Sequence, residues 1–384
     1  MSLSRLLIFL AVVALVLGGL HYYLWMRLVR DAELPARASW AATAAIVSLG
    51  LVTLSSLLLF RAPAKVLTPV AWVGYTWLGV VFFLFVLVVA GDVGRLFVEL
   101  GRRAAGAAPL DPERRVFFSR AIAASVGVLG LGASATGLAS CLSQVAVKRV
   151  RVRLPRLGER HSGYRIVQLT DLHVGPLIHG DFVRDIVARV NALEPNLIAI
   201  TGDLIDGRVH ELSAAVAALA ELRAPDGVFF VTGNHEYYSG ADEWIAFLSS
   251  LGIRVLRNEH VALGAFDLAG VDDASSRPFP GHGPDLPRAL AGRDPERALV
   301  LLAHQPRAIF EAEVLGVGLQ ISGHTHGGQL FPWNFAVRLQ QPYVSGLHTH
   351  GRAQIYVSNG TGYWGPPMRL GFPAEITELE LSPG

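Results

Sequence analysis

Four stretches of this 384-residue chain, 6–26, 38–60, 66–91 and 121–147, contain no Asp, Glu, Lys or Arg. At about 1.5 Å per helical residue each is long enough to cross a hydrocarbon core of roughly 30 Å. Soluble helices keep a charged face toward water, so these runs exclude a purely soluble chain and predict four transmembrane helices. Aromatic residues stand near several of the ends (Tyr22, Tyr23 and Trp25; Trp40; Trp72, Tyr75 and Trp77), where rings favour the boundary between lipid and water. The positive mean hydropathy, +0.41, follows from the same segments.

Charge divides the chain in two. Residues 1–147 hold 12 Lys and Arg against 6 Asp and Glu, whereas the rest holds 21 against 25, so the net of +2 hides a basic part and an acidic part. The acidic remainder argues against a nucleic-acid surface. In the connections, Arg27, Arg30, Arg37, Arg95, Arg102, Arg103, Arg114, Arg115 and Arg120 fall on one side of the membrane. Arg5, Arg61, Lys65, Lys148, Arg149, Arg151, Arg153 and Arg156 fall on the other. Six of the first group share the loop before the last span, which places that loop in the cytoplasm and the part after Val147 on the extracytoplasmic face. Residues 148–160 read as a basic juxtamembrane linker lying among anionic headgroups.

The fourth segment has two readings. Glu113-Arg114-Arg115-Val116-Phe117-Phe118, with the later Leu138-Ala139-Ser140-Cys141, resembles a twin-arginine export signal followed by a lipoprotein cleavage box. It departs from that pattern in its internal position, in Glu113 and in Ser140. The other reading is a helix whose small residues (Gly130 and Ser134; Ala133 and Gly137) let a neighbouring helix approach closely. Cys141 is the one cysteine, which excludes an intramolecular disulfide or a cysteine-rich zinc module.

From about residue 160 the pattern changes to short β-rich runs at 164–169, 197–201, 228–232, 299–303 and 319–322, alternating with helix-like stretches such as 181–193, 212–222 and 242–251. This predicts an α/β domain over 161–384. Each run ends directly in polar residues: Asp171-Leu172-His173, Gly202-Asp203-Leu204-Ile205-Asp206, Gly233-Asn234-His235-Glu236, His304, and Gly323-His324-Thr325-His326. Ligands gather at the carboxyl ends of strands in α/β sheets, so the five blocks imply one shared site. On an extended segment Asp-x-His and His-x-His point both side chains the same way, and Gly202, Gly233 and Gly323 are expected to supply unusual backbone angles. Asp171, His173, Asp203, Asn234, His304, His324 and His326 offer oxygen and nitrogen donors without sulfur, a set suited to Mn, Fe or Zn. Seven donors exceed what one ion uses and fit two divalent ions per chain.

These five blocks in this order resemble the calcineurin-like metallophosphoesterase superfamily, and the run Gly323 to Gln329, with Tyr356 to Gly360 and Pro366 to Ile376, is similar to its bacterial and transmembrane branch. The resemblance implies a β-sandwich flanked by helices. It places Asp171, His173, Asp203 and His326 around one metal and Asp203, Asn234, His304 and His324 around the other. It also implies phosphoester hydrolysis by a water bridging the metals, His235 assisting the leaving group and Asp206 orienting His235. For Asp206 a helix-capping or turn role is nearly as well supported. His348 and His350 read as surface or substrate-side residues, Glu236 as a supporting residue, and Tyr363, Trp364, Met368 and Phe372 either as a cover for a greasy substrate or as loop anchors.

The function expected is a membrane-anchored phosphohydrolase whose partners are membrane lipids and a phosphorylated lipid or small molecule, with no nucleic acid. The competing classes are a non-catalytic receptor or scaffold that keeps the fold, and a phosphodiesterase or nuclease on the same fold.

Overall fold

In the computed structural model the described residues are 3–58, 64–107 and 111–384. The chain divides into two compact units, Met1–Ala139 with Gly365–Met368, and Ser140–Trp364 with Arg369–Gly384.

The first unit is helical. Helix α1 (Leu3–Trp25) runs on through a π-helical turn at Met26–Arg30 and is followed by α2 (Ala36–Leu58), α3 (Ala64–Ala104) and α4 (Pro112–Leu142). All four helices are long and apolar enough to cross a membrane. Polar groups within them find partners. Trp77 Nε1 donates to His21 Nε2 at 2.9 Å, and Asp92 accepts from the Tyr23 hydroxyl at 2.6 Å and Arg27 Nε at 2.9 Å. On α4 the buried side carries Gly130, Ser134 and Gly137, and a methyl group on Gly130 would strike Leu84 of α3. The small-residue spacing thus serves helix packing. The sequence boundaries shift: α3 extends past 91 to Ala104, and α4 starts at Pro112 and stops at Leu142 in place of 121–147. Helix continues through charged residues wherever no breaker intervenes, so a charge-free window underestimates helix length. Residues 59–60 and Arg61, and the side chains of Arg5 and Lys65, lie outside the described residues.

The second unit contains strands β1 (Ala146–Leu154), β2 (Tyr164–Leu169), β3 (Leu197–Ile200), β4 (Val228–Phe230), β5 (Arg254–Val255), β6 (Glu259–Ala262), β7 (Asp267–Gly270), β8 (Leu299–Leu302), β9 (Leu319–Ser322), β10 (Gly346–His350), β11 (Ala353–Val357) and β12 (Glu375–Pro383). They form two six-stranded sheets, ordered β1-β12-β2-β3-β4-β5 and β10-β11-β9-β8-β7-β6. One core joins the inner faces, with Ile166, Leu197, Ala199 and Phe229 against Val300, Leu302, Leu319 and Ile321. Helices cover both outer faces. Val183, Ile186 and Val190 of α5 (Gly180–Asn191), Val216 of α6 (Val209–Val216) and Trp244 and Leu248 of α8 (Ala241–Ser250) pack on the first sheet, beyond the short α7 (Asn234–Ser239). α9 (Leu286–Ala289) and α10 (Ile309–Val314) pack on the second, and α11 (Asn334–Val337) lies in a later loop. Burying each large aliphatic side chain contributes about 1.5–3 kcal/mol, so the three clusters hold the layers together.

The basic linker expected at 148–160 is largely strand. Residues Val150, Val152 and Leu154 alternate with Arg149, Arg151 and Arg153, a period-two pattern that puts the apolar set inward. Paired in parallel with β12, β1 sets Lys148 3.2 Å from Glu375, Arg149 2.7 Å from Glu378 and Arg151 3.7 Å from Glu380. These cations meet carboxylates of their own sheet.

Candidate metal centre

The parallel strands β2, β3 and β4 of one sheet and β8 and β9 of the other end at the same edge of the sandwich, and the five polar blocks follow these ends. Asp171, Asp203, His173 and His304 are each at most 3% exposed. The Asp203 Oδ2 atom lies 3.1 Å from His304 Nε2 and 3.9 Å from Nε2 of both His173 and His235. His326 Nε2 lies 3.1 Å from His173 Nε2 and 3.4 Å from Asp171 Oδ1, and His324 Nδ1 3.2 Å from His304 Nε2. Among the described residues three groups result, Asp171/His173/His326, His173/Asp203/His235 and Asp203/His304/His324, with donor atoms within 4.8 Å of one another in each.

The donor set fits cations. A carbonyl only accepts, so Thr201 O, 2.7 Å from His304 Nδ1, fixes the proton there and turns the Nε2 lone pair toward Asp203. Asp206 Oδ1 does the same for His173 Nδ1 at 3.1 Å. The Asn234 Oδ1 atom is buried without a hydrogen-bond partner among the described residues. Carboxylate oxygens and imidazole lone pairs facing one another repel unless positive charge stands between them. Burial above all pushes His324 down to about 3, so its imidazole is neutral, the form a metal ligand takes.

Backbone geometry brings the side chains together by a route that the alternating pattern does not describe. Asp171, His173, Asp203, His324 and His326 have φ of 53°, 50°, 51°, 72° and 51°, the left-handed region, so neither Asp-x-His nor His-x-His is an extended segment. Each such residue costs of order 1–2 kcal/mol, least for Asp, Asn and His, and the strain is stored at the site. The glycines divide by role. Gly202 has φ of +87°, but Gly233 has φ of −101° and Gly323 is absent from the positive-φ positions. A Cβ on Gly233 would collide with Asp203, and one on Gly323 with Thr170 and Asp171. Two of the three glycines are therefore demanded by space, not by backbone angle.

Supporting groups hold this geometry. Buried Glu236 accepts from the backbone N–H groups of Asp203 at 3.0 Å, Leu204 at 2.8 Å and Gly233 at 2.6 Å, locking the β3 and β4 loops to each other. Burial and the adjacent Asp203 push its carboxyl up to about 7. Asp206 reaches His235 Nδ1 at 2.6 Å as well as His173, so it orients two imidazoles where the sequence reading assigned it one. Against the cost of its own burial, the charges and hydrogen bonds of His173 and His235 hold Asp206 below the usual carboxylate range. Although burial opposes its charge, His235 is pushed up to about 9 by the Asp206 hydrogen bond and by Asp203.

One residue had no role in the sequence reading. Arg369, 1% exposed, donates to the carbonyls of Gly362 and Phe372 and places Nη2 3.3 Å from His326 Nδ1. No spacing rule marks an isolated arginine in a Gly/Pro-rich loop. Of the four loop residues considered as a cover, Trp364 meets His235 (ring centroids 5.7 Å apart), as does Tyr238 at 5.3 Å, whereas Tyr363 packs into the core. His348 and His350 lie on β10 and contact Tyr343, apart from the three groups.

A family model described as calcineurin-like phosphoesterase matches residues 164–328. The transmembrane protein with metallophosphoesterase domain of Bos taurus is 40% identical over 80% of this chain and 73% of its own length. The protein of the same description from Danio rerio is 34% identical over 96% of this chain and 87% of its own. The chain belongs to the calcineurin-like phosphoesterase family. A metallophosphoesterase of Helicobacter pylori is 41% identical over 63% of this chain, and the match spans 65% of that relative's length. Four apolar helices and these relatives make this metallophosphoesterase a membrane protein.

Proposed function

We propose that this chain is a membrane-anchored dinuclear-metal phosphohydrolase that cleaves a phosphoester or pyrophosphate bond in a lipid-linked or cell-envelope phosphate. The observation that carries the reading is that the buried Asp203 carboxylate belongs to two metal-capable groups at once, one with His304 and His324 and one with His173 and His235. Asp171, His173, Asp203 and His326 would hold one divalent ion, and Asp203, Asn234, His304 and His324 a second. Two such ions, Mn, Fe or Zn, supply Lewis-acid charge to phosphoryl oxygens and lower the pKa of bound water.

The chain's own residues do the rest. Asp206 keeps a proton on Nδ1 of His235, leaving Nε2, which faces Asp203, to donate to the leaving-group oxygen. Exposed Tyr238 and Trp364 flank that imidazole and would shield the departing group from water. The lipid-linked substrate class is supported by the four helices, which are long and apolar enough to anchor the chain in a bilayer.

The test uses the full-length protein stripped of metal and reloaded with Mn²⁺. Phosphate release from an aryl phosphomonoester or its diester should be absent without metal and return on reloading, with about two ions retained per chain. A chain that neither retains metal nor turns over either ester would be a scaffold. The arginine-rich loop before α4 supports an extracytoplasmic catalytic unit. Protease added to sealed right-side-out vesicles should then digest residues 161–384, whereas protection would place them in the cytoplasm.

A further inference from the structure

Beside the metal centre, a cleft of about 490 Å³ lies between the loop after β7 and the start of α10, and His304 forms part of its wall. The proposed mechanism uses nothing else that lines it. Asp273, 2% exposed, accepts from Ser275 N–H at 2.7 Å and Gln305 Nε2 at 3.1 Å through Oδ1, while its Oδ2 is buried without a partner among the described residues. Such an orphaned carboxylate oxygen is costly unless a ligand donates to it. Arg277 and Arg307 line the same cleft from exposed positions, and no acceptor meets either guanidinium among the described residues. The ring of Phe310, 56% exposed, completes one side.

The charges decide what kind of ligand this suits. The neighbouring Asp272 is neutralised by a two-pronged pair with Arg257 at 3.0 and 2.8 Å. What remains is two guanidiniums against the carboxylates of Asp273 and Glu311, with no excess positive charge to hold a second phosphate. Planar acceptors and donors set around an aromatic face match a neutral group rich in hydroxyls, which both donates and accepts. We infer that this cleft is a subsite for a sugar-like, polyhydroxylated group carried by the phosphate ester, with Asp273, Gln305, Arg277 and Arg307 reading its hydroxyls. The inference rests on the phosphohydrolase reading and names the substrate class of the same site.

The test separates the two. Isothermal titration of the full-length, Zn²⁺-loaded protein in detergent would compare two phosphonates that cannot be hydrolysed, the methylene analogues of glucose 1-phosphate and of cyclohexyl phosphate. They share a six-membered ring and differ in hydroxyls. The glucose analogue should bind about tenfold or more tightly, because a site built to hydrogen-bond hydroxyls penalises a ligand without them. Asp273→Asn, which keeps the shape of the side chain, and Arg307→Ala, at an exposed position, should each bring the two affinities together. Equal affinities in the unaltered protein, or a preference that survives both substitutions, would overturn the subsite. Aryl phosphate hydrolysis measured on the same preparation reports on the phosphohydrolase reading alone. A sugar preference without any turnover would leave the subsite standing and remove the hydrolase.

Discussion

Asp203→Asn reduces phosphate release by about a thousandfold or more and lowers the metal retained per chain. The substitution changes almost no volume, so the effect isolates charge. Asp203 Oδ1 accepts from the His235 backbone N–H at 2.9 Å, a bond an amide oxygen can keep. Oδ2 lies within 3.9 Å of the Nε2 atoms of His304, His173 and His235, and an amide nitrogen there would present hydrogens where a cation belongs. Elemental analysis beside turnover reads both effects. A variant that keeps two ions and near-normal turnover would remove Asp203 from the centre.

His235→Ala is expected to slow hydrolysis by about 10²–10⁴ for an alkyl phosphate and far less for a 4-nitrophenyl ester, whose leaving group departs without a proton. The contrast matters because His235 has two possible roles. It sits within one of the three metal-capable groups, with His173 and Asp203, yet its Nδ1 is held by Asp206 in the manner of an oriented acid. Unchanged metal content with a steep dependence on leaving group assigns it proton donation. Lost metal with equal damage to both esters makes it a ligand.

Much of the site was legible in the chain because its chemistry is local in sequence. Each block follows an apolar run, and the structure brings Asp171, His173, Asp203, Asn234, His235, His304, His324 and His326 to one end of the sandwich at the runs' ends. The angles that bring them together were not legible, since left-handed backbone at Asp171 or His326 is imposed by the surrounding loops and not by the residue itself. Neither was the role of Gly233 and Gly323, because the atoms a methyl group would strike arrive in part from other strands. Arg369 and Asp206 show the same limit, each acting on groups dozens of residues away.

The edges of the fold tell a related story. The alternation in 146–154 was present, but a tally of charges concealed it, and only the pairing of β1 with the glutamates of β12 makes it a strand. Apolar length and the order of the polar blocks, then, determined by themselves a chain with four helices long and apolar enough to cross a membrane and a metal-type donor set. Which atoms face one another, which glycines must be glycine and what meets the basic run were decided only in three dimensions, because close approach between distant segments is a property of packing, and no local pattern encodes it.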